Sequence, residues 1–146
     1  MPGLKYANNI VTYAPGPEIS PEFATAFAKV GSLILWLDDK VVPGAFQMNC
    51  VWYFAPTKRG PGGGHKHDVP EIIGFFGSDY KNQHDMGGEL EFWMEDEKYL
   101  ITKSCMIFVP AGVMHCPIVL TRVDRPIFHF SVVTSGQYKA LEQEGK

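Results

Sequence analysis

Residues 62–77 read GGGHKHDVPEIIGFFG, two histidines and a glutamate set between glycines. His65 and His67 are two apart, and on a strand side chains two apart share a face. Glu71 follows four residues later and faces the same way if the strand parity carries through Pro70. Two neutral imidazole nitrogens and a carboxylate form a ligand set for Fe, Mn, Ni, Co or Zn. A second stretch completes the pattern. Residues 110–115, PAGVMH, follow the apolar run MIFV. Their Pro110 and Gly112 are turn residues that deliver His115 into the next strand.

Either side of this stretch the pattern is mostly that of strands. LILWL (33–37), AFQMNCVWYF (45–54), VPEIIGFFG (69–77), ELEFWME (89–95), YLIT (99–102), MIFVP (106–110), HCPIVLT (115–121) and PIFHFSVVT (126–134) are apolar or alternating runs separated by turn residues. The intervening TKRGPGGG (57–64) and SDYKNQHDMGG (78–88) read as loops, and DEK (96–98) as a tight polar turn. Many short strands at regular spacing predict an all-β sandwich or closed barrel. One helix is expected. Ser20 is an N-cap, Pro21 occupies the first helical position, and Phe23, Ala26, Phe27 and Val30 recur at helical spacing until Gly31 ends the run. It is expected to pack on the outside of a sheet. Residues 1–16 read as an extended arm, and 135–146 as a polar tail that frays.

The chain has 146 residues, 45% of them hydrophobic, enough for one domain with a core of its own. Its net charge of −3 and its 13 scattered Lys and Arg argue against nucleic acid as a partner. No apolar run reaches the length of a membrane span, and the N-terminal residues lack the apolar segment of a signal peptide. Cys50, Cys105 and Cys116 are too few and too far apart for a disulfide framework. They read as small buried hydrophobes in a reducing, cytoplasmic setting, with a redox role for Cys116 the minor alternative.

Taken together, the two stretches resemble the motifs of the cupin superfamily, in the manner of a small single-domain cupin of the conserved-barrel (cupin 2) type. The first motif has the form G-x5-HxH-x3,4-E-x6-G, met here by His65, His67, Glu71 and Gly77. The second has the form G-x5-PxG-x2-H-x3-N, met by Pro110, Gly112 and His115. Three positions depart: Glu71 to Gly77 is one residue short, Ser104 stands nearest the first glycine of the second motif, and Val119 stands in place of its Asn. All three concern turns, not ligands. The resemblance covers roughly residues 45–133 and implies a single antiparallel jelly-roll β-barrel with one divalent metal ion held by His65, His67, Glu71 and His115. Residues 1–44 would add a short helix and an extra N-terminal strand. In many cupins such additions help build a dimer, so a homodimer is expected.

Three histidines and a glutamate leave two positions of an octahedron open, suiting a bidentate oxygen ligand or one substrate oxygen plus O₂. The expected activity is that of a metal-dependent enzyme on a small oxygen-rich or enolisable substrate. Dioxygenase chemistry comes first, isomerase, epimerase or lyase chemistry second, and a non-catalytic ligand-binding or storage cupin is the alternative. Glu71 and His129 are the candidate catalytic groups, although a satisfied strand histidine is the simpler reading of His129. His84 is expected to be solvated, on a loop that could act as a lid. Trp52, Tyr53, Phe75, Trp93, Phe108 and Phe128 are expected mainly in the core, some of them lining an apolar pocket with few polar contacts. Glu89, Glu91, Glu95 and Asp96 read as a solvated face and turn.

Overall fold

The computed structural model describes residues 3–58, 64–136 and the backbone of 142–143. After the N-terminal arm comes helix α1 (Pro21–Ala28), with Ser20 Oγ accepting from Phe23 N at 3.1 Å. Ten strands follow: β1 (Gly31–Leu37), β2 (Gln47–Tyr53), β3 (His65–Lys66), β4 (Glu71–Gly77), β5 (Asp85–Met94), β6 (Glu97–Lys103), β7 (Cys105–Val109), β8 (His115–Val123), β9 (Ile127–Val133) and β10 (Glu142–Gln143). They form two five-stranded antiparallel sheets, ordered β1-β2-β9-β4-β7 and β10-β3-β8-β5-β6. This is the expected all-β jelly roll with its N-terminal helix and strand. The middle of the glycine-rich loop, residues 59–63, lies outside the described residues, as does most of the polar tail.

The inner face of the first sheet is set by register. Gln47 on β2 and Glu71 on β4 both pair with Val133 of β9, and Glu71 pairs with Val109 of β7 on its other side. Two residues further along lies the row Asn49, Ser131, Ile73, Ile107, and then Val51, His129, Phe75, Cys105. From the second sheet Leu90, Phe92 and Leu120 point inward. With Ile73, Phe75, Met86 and Ile127 they form the main core. Burying side chains of this size contributes roughly 1.5–3 kcal/mol each relative to exposure.

The structure corrects several expectations. The histidine pair and Glu71 do not share a strand. His65 lies on two-residue β3 in one sheet, and Glu71 opens β4 in the other. Residues 68–70 cross between the sheets, so strand parity does not govern Glu71; the two facing sheets do. The polar loop before β5 is shorter than 78–88, because β5 starts at Asp85. Its exposed His84 sits beyond the Gly77 end of β4, away from Glu71, and so carries no lid over the histidines. In the expected tail, Glu142 and Gln143 pair with Lys66 and His65.

Helix α1 does not lie flat on the outside of a sheet. Phe27 meets the inward-facing Tyr53 edge-on at 6.1 Å, and the helix shares a cavity wall with Ile118 and Leu120 of the opposite sheet. It roofs the opening between the two sheets. Among the aromatics assigned to the core, Phe75 is fully buried, but Phe108 is 61% exposed and Trp52 also faces solvent. Both occupy the outer parity of their strands, where apolar content alone misleads. Glu89 and Glu91 do lie on a half-solvated outer face, with Lys98 Nζ 3.6 Å from Glu91 Oε1, and Glu95 and Asp96 are in the exposed turn.

Candidate metal centre

Four side chains converge between the sheets. The ligating atoms of His65, His67, Glu71 and His115 all lie within 4.8 Å of one another. Atoms bound to one ion at roughly 2.0–2.2 Å sit about 3–4 Å apart, so the cluster is close to a coordination shell. The ring centroids of His65, His67 and His115 are 4.6–5.3 Å apart. His67, Glu71 and His115 are buried, and His65 is half-buried.

Local structure explains the convergence. His65 of β3 pairs directly with His115 of β8. A Cβ on Gly64 would lie 2.5 Å from the carbonyl oxygen of His115, so only glycine allows β3 to approach β8 this closely. In the turn before His115, Gly112 has φ +80°, a conformation that glycine adopts readily and other residues rarely do. Its N–H donates to the His67 carbonyl at 2.8 Å, which ties the second motif to the first.

The protonation pattern fits a bound cation. His115 Nδ1 lies 2.9 Å from the Val113 carbonyl oxygen, which can only accept. Nδ1 therefore carries a proton, and Nε2 lies 3.1 Å from Glu71 Oε1. His67 Nε2 is 3.7 Å from Glu71 Oε2. Acceptors held this close call for a proton or a metal ion between them. Burial lowers the basicity of His115, but the Glu71 carboxylate and the Val113 carbonyl outweigh it and hold its pKa above the ordinary value. Burial, with the neighbouring His115 and His67, brings His65 down to about 4, leaving its ring neutral and able to ligate. Three imidazoles and one carboxylate thus fit a divalent transition ion.

A cavity of about 570 Å³ adjoins the cluster, with Glu71 and His65 in its wall. Its lining is mostly apolar, with Trp36, Ile73 and Ile118 prominent. It is nevertheless more polar than expected, because Asn49, Tyr53, His129 and Ser131 also line it. His129 is buried, and its Nδ1 faces the Gly74 carbonyl oxygen at 3.1 Å. That oxygen only accepts, so Nε2 carries the lone pair. Burial lowers the pKa of His129 to about 4, outweighing the Gly74 carbonyl and the Glu71 charge. Tyr53 is pushed up to about 12, chiefly by burial and then by Cys116, so its phenol stays protonated. Cys116 is likewise raised to about 12 by burial and Glu71, which disfavours a reactive thiolate. All three cysteines are free.

Sequence reasoning missed Gln47, Asn49 and Ser131 on the inner face, while Tyr53 was among the aromatics some of which were expected to line the pocket. Gln47 is fully buried, and among the described residues neither side-chain amide atom finds a hydrogen-bond partner. A signal existed: Gln47, Asn49, Val51 and Tyr53 alternate along β2, so two amides on the inner parity of an apolar strand point into the barrel.

No protein-family model matches the sequence, and no curated protein does. Solved structures do. Oxalate oxidase in complex with the substrate analogue glycolate is similar over 90% of this chain and 60% of its own, with 18% identity and a TM-score of 0.51. A further oxalate oxidase structure gives 17% identity and a TM-score of 0.50, over 89% of this chain and 59% of its own. A cupin-superfamily sugar phosphate isomerase from Silicibacter pomeroyi is similar over 82% of this chain and 68% of its own, with 18% identity and a TM-score of 0.49. The chain spans less than two thirds of the oxalate oxidases' length. With two antiparallel sheets, both motifs in place and the likeness to the oxalate oxidases, the chain has the fold of the cupin superfamily.

Proposed function

We propose that this chain is a metal-dependent enzyme acting on a small oxygen-rich or enolisable substrate, with dioxygenase-type chemistry. The observation that carries the reading is the convergence of His65, His67, Glu71 and His115 within 4.8 Å at the wall of a mostly apolar cavity. Bound there, a divalent ion would polarise substrate oxygens and lower their pKa. Ile73, Trp36 and Ile118 make part of that wall apolar, and an apolar surround strengthens charge interactions beside it. Tyr53 supplies a hydroxyl donor and Asn49 an amide.

A second reading, isomerase or lyase chemistry, rests on His129. Its unprotonated Nε2 belongs to a residue that lines the same cavity, where it could accept a substrate proton. Elemental analysis of untagged protein purified without chelators tests the metal, and oxygen uptake with catecholic and enolisable compounds separates the readings. About one equivalent of iron per chain together with oxygen uptake supports the dioxygenase. Product formation without oxygen uptake supports proton transfer, and a chain that takes up no metal overturns both. Binding without turnover would leave the non-catalytic cupin.

We further propose a reducing, cytoplasmic setting, supported by three free thiols, and a homodimer. Support for the dimer comes from the outer face of the first sheet. Met106 (70% exposed), Phe108 and Ile72 adjoin an aromatic band of Trp52, Phe128, Phe130 and Phe76, with successive ring centroids 5.6–6.5 Å apart. An apolar outer face of this kind fits the apolar core of a subunit interface. Sedimentation of wild type against Met106→Glu/Phe108→Glu tests it: a dimer converted to monomer supports the face, and a monomeric wild type overturns it.

A further inference from the structure

The cavity beside the metal centre shares part of its wall with a second one. This second cavity, of about 630 Å³, lies under helix α1, and Phe23, Tyr53 and Ile118 line both. The two spaces therefore adjoin, meeting where Phe23 of the first helical turn stands over Tyr53 and Ile118. Phe27, Val30 and Leu120 make the outer chamber mostly apolar, and among the described residues its charged lining is Lys29 and Lys58, with no Asp or Glu. Thr57, its other polar residue, is engaged, since its Oγ1 accepts from Leu120 N at 2.8 Å. No residue of α1 is fully buried, so the helix has apolar surface left for a ligand to cover.

A two- or three-carbon acid held at the His/Glu cluster would leave all of this space empty. Cavities of roughly 300–1,000 Å³ hold whole drug-sized ligands, and each of these chambers falls in that range. We propose that the substrate is elongated: an oxygen-bearing head at His65, His67, Glu71 and His115, an apolar body passing between Phe23 and Ile118, and an anionic far end at Lys29 and Lys58. This rests on the metal-centre reading above and adds the class of substrate to it. The two lysines supply charge complementarity at the rim, and the apolar walls supply most of the affinity.

Hydroxamates, which chelate divalent ions through two oxygens, test this on the full-length chain loaded with cobalt. The probes are acetohydroxamate, octanohydroxamate and the monohydroxamate of suberic acid, titrated by calorimetry and by the cobalt absorption band. Octanohydroxamate should bind at least roughly 30-fold more tightly than acetohydroxamate, well within what six buried methylenes provide. The terminal carboxylate of the suberic probe should add a salt-sensitive gain of about threefold over an uncharged ω-amide of the same length, and the gain should vanish in Lys29→Ala/Lys58→Ala. In Ala26→Trp, which fills the outer chamber, the octano-to-aceto ratio should collapse; a ratio within one variant is insensitive to partial metal loss. Equal affinity for the short and long probes would overturn the elongated substrate while the cobalt band still upheld the metal centre. A charged end that gains nothing over the amide would overturn the anionic assignment. Failure to take up cobalt would overturn the metal reading, and with it the anchor of this proposal.

Discussion

The space between the two sheets has two flanks of opposite character. Where β4 and β7 face β5, β6 and β8, the interior is filled by Phe75, Ile73, Met86, Leu90, Phe92 and Leu120. Where β2, β9 and β4 face β3 and β8, it is hollow, and the wall carries Asn49, Ser131 and His129 beside the histidine and glutamate cluster. The same strands serve both: Ile73 belongs to the packed core and also lines the cavity. A packed flank contributes stability through apolar burial. A hollow flank with buried polar groups costs stability until something fills it. One flank thus holds the fold and the other carries the candidate metal site.

The largest effect should come from the packed flank. Phe92 is fully buried in the core, and Phe92→Ala should destabilise the chain by about 3–5 kcal/mol in denaturant titration. Metal affinity per folded molecule should change little, because Phe92 is not among the four converging ligands. A variant that kept its stability but lost metal would erase the division between the flanks.

The hollow flank should respond to pH. His129 is neutral in the fold, with its pKa held near 4 by burial, and returns to its ordinary 6.5 on unfolding. Between those values the unfolded chain binds the extra proton, so stability rises with pH through the window. The contribution is fully present above about pH 6.5 and is lost as pH falls towards 4. It amounts to about 3 kcal/mol at most. Stability curves for wild type and His129→Gln should converge in slope above pH 6.5 and diverge below it. Parallel curves throughout would mean that His129 is not the buried neutral group of the hollow flank.

Metal should offset part of the cost of that flank. A divalent ion at a hundredfold excess over its dissociation constant should stabilise the chain by about 2.7 kcal/mol, seen as a rise in Tm. His67→Ala should abolish the rise. A rise that survives in the variant would place the ion elsewhere.

Sequence and structure agree best where a single residue type carries the meaning. The convergence of His65, His67, Glu71 and His115, the cap at Ser20 and the turn at Gly112 were legible because each demands specific chemistry or a backbone that few other residues adopt. Face assignment was less legible. Phe108 and Trp52 are apolar by composition and outward by register, and a sheet whose outer side is itself apolar loses the alternation that would reveal it. The crossing of residues 68–70 between sheets was hidden for a related reason: strand parity describes one strand, and the ligands come from two. The hollow flank left a trace in Gln47 and Asn49, visible once the inner parity of β2 is known.

Gln47 offers the finest test of the comparison. Its amide is fully buried, and neither its nitrogen nor its oxygen has a hydrogen-bond partner among the described residues. It shares a row with Glu71, both pairing with Val133. An orphaned polar group in an apolar interior is a cost, and replacing it with an apolar side chain of similar shape should recover about 1 kcal/mol. Gln47→Met should therefore raise the stability of the metal-free chain slightly while removing an amide from the barrel interior. If the variant also binds a metal-chelating hydroxamate less tightly, the cost is one that the fold carries for its ligand. A Gln47→Met chain that is less stable than wild type would mean that the amide is already satisfied by ordered water, and this part of the hollow flank would then be hydrated structure rather than a site held ready.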